Sequence, residues 1–304
     1  MRRLAQSAAK RLLNENALDS VRQLRQIRRV FGKERIRRLI ASAGDTPAYL
    51  PPEQLGPLQG NYRVPRDYGY DPGTVALRGE RRCAQLMSLP GFRSARSVLE
   101  IGCLDGMVSC MLARSGKEAT AIDIRGDAID GRAVAAGVNF MQMDACDLRF
   151  DGGAFDAVFS YDTFEHVADP ESMLNECIRV VKAAGVIYLN FGPLYMSPYG
   201  EHAYRSIPLP YCHHLFPLSD LNAFAAVRQR ELIDPAHVNR WKVRQYRELW
   251  KSRASLLEPI LYRELTDFSH IDLIRRFPSC FCSKSRSLDE FTVSGIRVLF
   301  RRVR

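Results

Sequence analysis

The stretch Val98 to Leu112, Val-Leu-Glu-Ile-Gly-Cys-Leu-Asp-Gly-Met-Val-Ser-Cys-Met-Leu, constrains the fold of this chain more than any other. Ser97 to Ile101 has the short apolar pattern of a buried parallel strand. Gly102 to Gly106 is a turn, and from Met107 to Ala113 the spacing becomes helical. Strand, glycine-bearing turn and helix in that order make a corner with free backbone amides beyond the carboxyl end of the strand, where an open α/β sheet binds its ligand.

Acidic residues mark the same edge. Glu100 lies near the end of the first strand. Asp123 follows the next run, Glu118 to Ile122, about 20 residues after the turn, the spacing at which a carboxylate meets ribose hydroxyls. Two carboxylates and no lysine make a poor phosphate site. They suit a ligand with a cationic end and a free ribose, and S-adenosylmethionine (SAM) has both.

On these residues the chain resembles the class I SAM-dependent methyltransferases. Their first motif, Glu-x-Gly-x-Gly-x-Gly, reads here Glu100-Ile-Gly102-Cys103-Leu104-Asp105-Gly106, so Leu104 stands where the family has its middle glycine. The resemblance continues through Phe155-Asp156-x-Val and Glu165-His166-Val167, and covers residues 98–191. It implies a doubly wound, mostly parallel seven-stranded sheet and SAM as cofactor. It also implies that Asp123 and Ile124 lie beside the nucleoside. Asp144 would accept from the adenine amino group while the amide of Ala145 serves the ring, and Tyr161 and Asp162 would wall the methionine part. Asp156, at the start of its strand, reads as structural.

The rest of the chain fits that frame. Strands are predicted at 97–101, 118–122, 138–143, 155–161 and 186–191. Helices are predicted at 75–89, 106–115, 126–136 and 170–182, the last with Asp169 as its cap and Pro170 in its first turn. Strand–helix alternation of this kind means a parallel sheet covered on both faces. Residues 192–218 break it with Pro193, Pro198, Pro208, Pro210 and Pro217 among tyrosines and histidines, and begin at the ligand edge. Residues 219–276 read as helical, and 291–302 as a final strand bent at Ser294-Gly295. The expected divisions are a basic helical extension with a Pro-rich arm (1–75), a SAM-binding core (76–191), a substrate lid with helices (192–276) and C-terminal strands that complete the sheet (277–304).

Charge is uneven. The net charge is +10, and residues 1–40 hold twelve Lys or Arg against three acids. That helix reads either as an extension packed on the core or as a peripheral membrane contact through residues 1–41. The body is close to neutral, which argues against a nucleic-acid substrate. Eight scattered cysteines without a Cys-x-x-Cys pair suit free thiols in a cytoplasmic protein.

The chemistry expected is methyl transfer, first to oxygen, on a small molecule or a glycan- or lipid-linked acceptor. His202, beside Glu201 in the lid, is the candidate base, and His166 is a second candidate for touching substrate. His202, His213, His214 and Glu201 also allow a metal reading. Adjacent histidines on an extended segment point opposite ways, however, and no metal is assigned. A non-catalytic SAM-binding module and an NAD-dependent oxidoreductase are the alternatives, though the oxidoreductase would require Gly-x-Gly-x-x-Gly and Asp105 would repel its pyrophosphate.

Overall fold

The computed structural model describes residues 34–41, 49–62 and 69–303, in two compact units. The smaller unit contains a helix over 34–41 and the short helices Ile271–Arg276 and Pro278–Cys282. Ile36 and Ile40 are buried in it, and Arg286 donates to the carbonyl of Ile40 at 2.8 Å. The rest of the expected basic helix, and Tyr68 of the arm, lie outside the described residues.

The larger unit carries one seven-stranded sheet in the order β3-β2-β1-β4-β5-β7-β6. Strands β1 (Ser97–Ile101), β2 (Glu118–Asp123), β3 (Asn139–Gln142), β4 (Phe155–Tyr161) and β5 (Val181–Phe191) are mutually parallel. β7 (Val293–Arg302) runs antiparallel between β5 and β6 (Leu257–Thr266). Chain order reverses at β1, which pairs with β2 on one side and β4 on the other, so the crevice opens beyond β1 and β4.

Helices cover both faces. α1 (Pro72–Ser88), α2 (Met107–Arg114) and α3 (Gly131–Ala135) border a cluster with Phe92, Val98, Phe159 and Tyr188 at its centre. α4 (Pro170–Val180) and, after α5 (Leu218–Val227), α6 (Val243–Ser252) border the opposite cluster, where Phe164 meets Phe191, Tyr246 and Trp250. α1 approaches α2 closely at Gly79, where an added Cβ would lie 2.5 Å from Met107 Cγ. All eight cysteines are free.

Most predicted elements fall within a few residues of their places. Asp169 caps α4 as expected, accepting from the amides of Glu171 and Ser172. The helix ends at Val180 rather than 182, and β5 starts at once. The helix expected over 126–136 shrinks to Gly131–Ala135 behind the cap of Asp130. Asp156 is structural: it accepts from the amides of Arg96 and Ser97 and pairs with Lys182 at 2.7 Å. The larger correction is β6, inside the stretch read as helical. It is an edge strand and half exposed, so apolar alternation is weak, and its Pro259 is tolerated at a register shift of the edge. The bend at Ser294-Gly295 is present, as a second register shift between β6 and β7.

Candidate active site

The corner is built by alternating left-handed residues. Gly102, Leu104 and Gly106 take φ of 71°, 50° and 68°. This explains why a glycine suits the middle position and what Leu104 costs: a side chain in the left-handed region is disfavoured by about 1–2 kcal/mol. The turn is held despite that cost. The amides of Gly102 and Cys103 donate to the carbonyl of Ile122 at 2.9 and 3.0 Å, and Leu104 N donates to Asp123 Oδ2 at 2.8 Å. Asp123 Oδ1 accepts from Arg125 N at 3.0 Å. Asp123 thus locks β2 to the turn as well as standing at the ligand edge.

Each predicted cofactor residue has a definite place. Glu100 is buried, and its Oε2 accepts from Ser109 N and Oγ at 3.0 and 2.6 Å. Burial pushes its pKa up to about 7, against the pull of Ser109. Cys103 is buried, and its thiol is pushed up by burial and then by the charge of Glu100. Asp105 Oδ1 accepts from Met107 N, and its Oδ2 pairs with Arg78 at 2.7 Å. Ile124 is 68% exposed, an apolar plate beside Asp123. Asp144 is exposed and accepts from Cys146 N at 2.8 Å, while Ala145 packs at the edge of the core. Tyr161 turns inward, its hydroxyl on Gln85 Oε1 at 3.1 Å, and Asp162 at the strand end pairs with Arg82.

Arg78 and Arg82 were not legible as site residues when motifs alone were read. Their signal lay in spacing: with Val75 and Leu86 they fall on one stripe of α1, where an arginine demands a buried acidic partner. Arg82 also lies over the ring of Tyr161, 4.5 Å from its centroid.

Beside Asp162 opens a cavity of about 410 Å³, walled by the ends of β5, β6 and β7 and by the lid. Asn190, Gly192, Pro193, Ser197, Tyr199, Tyr204, Leu265 and Asp267 line it. Ser197 is fully buried, and its hydroxyl has no hydrogen-bond partner among the described residues. Burial, then the charge of Asp267, push Tyr199 up to about 12, so it stays a donor. Asp267 accepts from Ser269 N at 2.7 Å.

His166 and His202 do not line this cavity. His202 donates through Nε2 to the carbonyl of Pro193 at 2.9 Å, and His166 through Nδ1 to that of His237 at 2.6 Å. The two rings meet edge to face, with centroids 4.7 Å apart. Burial lowers both, His202 to about 3. His213 and His214 lie elsewhere, on a short buried helix at Cys212–Leu215 rather than on an extended segment. Glu201 is buried near Arg240, at 3.8 Å.

The donor set fits SAM. Acids at the ends of β1, β2 and β4 suit its cationic groups and ribose diol, and Arg78 and Arg82 stand beside them, paired with Asp105 and Asp162. An α/β sheet with its chain order reversing at β1 and acids along that edge has the architecture of a nucleotide-type binding fold.

Comparison with known proteins agrees. Residues 99–189 match the family model described as a methyltransferase domain. A ubiquinone biosynthesis O-methyltransferase of Xanthomonas campestris pv. campestris is 27% identical over 195 residues, spanning 57% of this chain and 74% of that protein. The protein of the same name from Alkalilimnicola ehrlichii is 26% identical over 194 residues, spanning 62% and 75%. The crystal structure of a protein from Pyrococcus horikoshii aligns with 78% of this chain and 94% of its own at 17% identity and a TM-score of 0.47. The chain carries a methyltransferase domain over residues 99–189, and it is an enzyme that uses SAM.

Proposed function

We propose that the chain transfers a methyl group to a hydroxyl oxygen of a small molecule held in the cavity beside Asp162. The observation that carries this reading is the unpartnered, buried hydroxyl of Ser197 in a cavity of about 410 Å³, a volume suited to one compact acceptor. The O-methyltransferase names of the relatives support oxygen as the methylated atom. A compact head on a glycan- or lipid-linked acceptor would use the same cavity.

When bound, SAM supplies a methyl carbon made electrophilic by its sulfonium. The chain's task is alignment, which alone lowers such a barrier by several kcal/mol. In this reading Glu100, Asp105, Asp123, Ile124 and Asp144 hold the cofactor, with the backbone of residues 102–106 and Ala145 beside it, and Asp162 with Arg82 marks its cavity end. Ser197 and Tyr199 hydrogen-bond the acceptor. Asp267, the carboxylate at the far wall, takes the proton of the acceptor hydroxyl. Of the two histidines expected from sequence to act on substrate, His202 hydrogen-bonds the carbonyl of Pro193 and His166 packs on His202, and neither lines the cavity.

The test is methyl transfer from labelled SAM to a matched set of ring compounds carrying a hydroxyl, an amine or neither. Transfer to the hydroxyl compound, reduced about 10²-fold or more in Asp267→Asn, is expected. Transfer to the amine alone would overturn the assignment of oxygen.

A further inference from the structure

Three of the chain's six histidines converge at one point outside the cavity: His166 after β4, His202 in the lid and His237 between α5 and α6. One ring nitrogen of each lies within 4.8 Å of the other two. The hydrogen bonds around them decide which nitrogens are left to bind an ion. A carbonyl only accepts, so His166 carries its proton on Nδ1, facing the carbonyl of His237, and His202 carries its proton on Nε2, facing that of Pro193. The lone pairs are therefore on Nε2 of His166 and Nδ1 of His202. An imidazole whose other N–H is tied to a backbone carbonyl is the usual posture of a metal ligand, because the second bond fixes both tautomer and ring orientation.

The backbone supports the same arrangement. His202 is held at a left-handed φ of 55°, a conformation that persists only where its surroundings enforce it. Asn239 ties the His237 loop to the His166 loop, donating from its backbone N to the carbonyl of Glu165 and from Nδ2 to that of Phe164, each at 2.9 Å.

We propose that His166, His202 and His237 bind a divalent transition-metal ion of the zinc type. Three neutral imidazoles favour zinc, cobalt or nickel over magnesium or calcium, which take oxygen ligands. Three protein ligands leave one position of a tetrahedral ion for water or another oxygen ligand. Metal–nitrogen bonds of about 2.0–2.1 Å require the nitrogens to draw closer than they stand here, and the exposed His237 is placed to make that movement. The ion would clamp the lid and the His237 loop to the end of β4. The site differs from the set weighed on sequence, sharing only His202 with it, and it does not depend on methyl transfer.

The test uses the full chain without a histidine tag, stripped with chelator and titrated with Co²⁺, whose visible absorption reports coordination. We expect one Co²⁺ per chain, displaced by Zn²⁺. His166→Ala, His202→Ala and His237→Ala should each weaken it at least about a hundredfold, while His270→Ala, outside the cluster, should bind as the parent does. His237 is exposed, so its variant tests the site without opening the core, and S-adenosylhomocysteine binding by calorimetry confirms that the variant is folded. The proposal is overturned if the parent takes up no Co²⁺ at millimolar concentration, or if folded His237→Ala binds it as tightly as the parent. Neither result bears on SAM binding, which the calorimetry measures separately.

Discussion

At the scale of single residues, Leu104 and Glu100 show how the corner trades stability for shape. Leu104 sits at φ 50°, so the usual ranking of alanine above glycine should invert there. Leu104→Gly and Leu104→Ala both remove the side chain, but only glycine takes the left-handed region without strain. We expect the glycine variant to be the more stable of the pair by about 1 kcal/mol in urea unfolding. Equal stability would mean that the turn is not strained at this position. Glu100 gives a pH signature. Burial raises its pKa from 4.5 to about 7, so between those values the folded chain keeps a proton that the unfolded chain has lost. Stability contributed at this position therefore falls as pH rises through 4.5 to 7, by about 3 kcal/mol in total. Glu100→Gln lacks that dependence. The difference in unfolding free energy between parent and variant should shift against the parent between pH 5 and pH 8, and a flat difference would show that Glu100 is not buried as described.

At the scale of elements, α1 is the helix that completes the site without belonging to any motif. It brings Arg78 to Asp105 and Arg82 to Asp162, and it can do so because Gly79 lets its backbone approach Met107. A valine at Gly79 must push α1 away from α2. The expected cost is about 1–3 kcal/mol, with SAM affinity falling in the same variant because both arginines move with the helix. Calorimetric binding together with thermal melting checks both. If stability falls and affinity does not, the arginines do not serve the cofactor. Edge strand β6 teaches a different lesson. Its half-exposed residues mix Glu258, Arg263 and Glu264 with apolar ones, and Arg247 pairs with Glu264 at 2.7 Å. Such a strand earns its place through pairing with β7, a contact distant in sequence that local spacing does not encode.

For the molecule as a whole, ligand binding at the crest of the sheet should be felt throughout the larger unit, because the corner joins β1, β2 and α2 while Asp162 and the lid join β4 and β5. At about a hundred times its dissociation constant, S-adenosylhomocysteine should stabilise the fold by about 2.7 kcal/mol, a rise in Tm of roughly 5–10 °C for a unit of this size. NADH at the same concentration should leave Tm unchanged, because the acidic corner repels a pyrophosphate. An equal rise with NADH would contradict the reading of the corner as a site for a cationic nucleoside.

The strand–turn–helix at 97–114, the carboxylates spaced behind it and the capped helix after Asp169 were determined by sequence alone, because each depends on neighbours within one turn or one strand–helix unit. The class of fold and its cofactor follow from that local information. Folding itself decided the rest: the pairing of Arg78 and Arg82 with Asp105 and Asp162, the place of β6 at the sheet edge, and the meeting of His202 with His166 and His237 rather than with His213 and His214. These associations join residues from 27 to 80 positions apart. Their partners are chosen by packing and by the need to satisfy buried charge, neither of which is written in the order of residues along the chain.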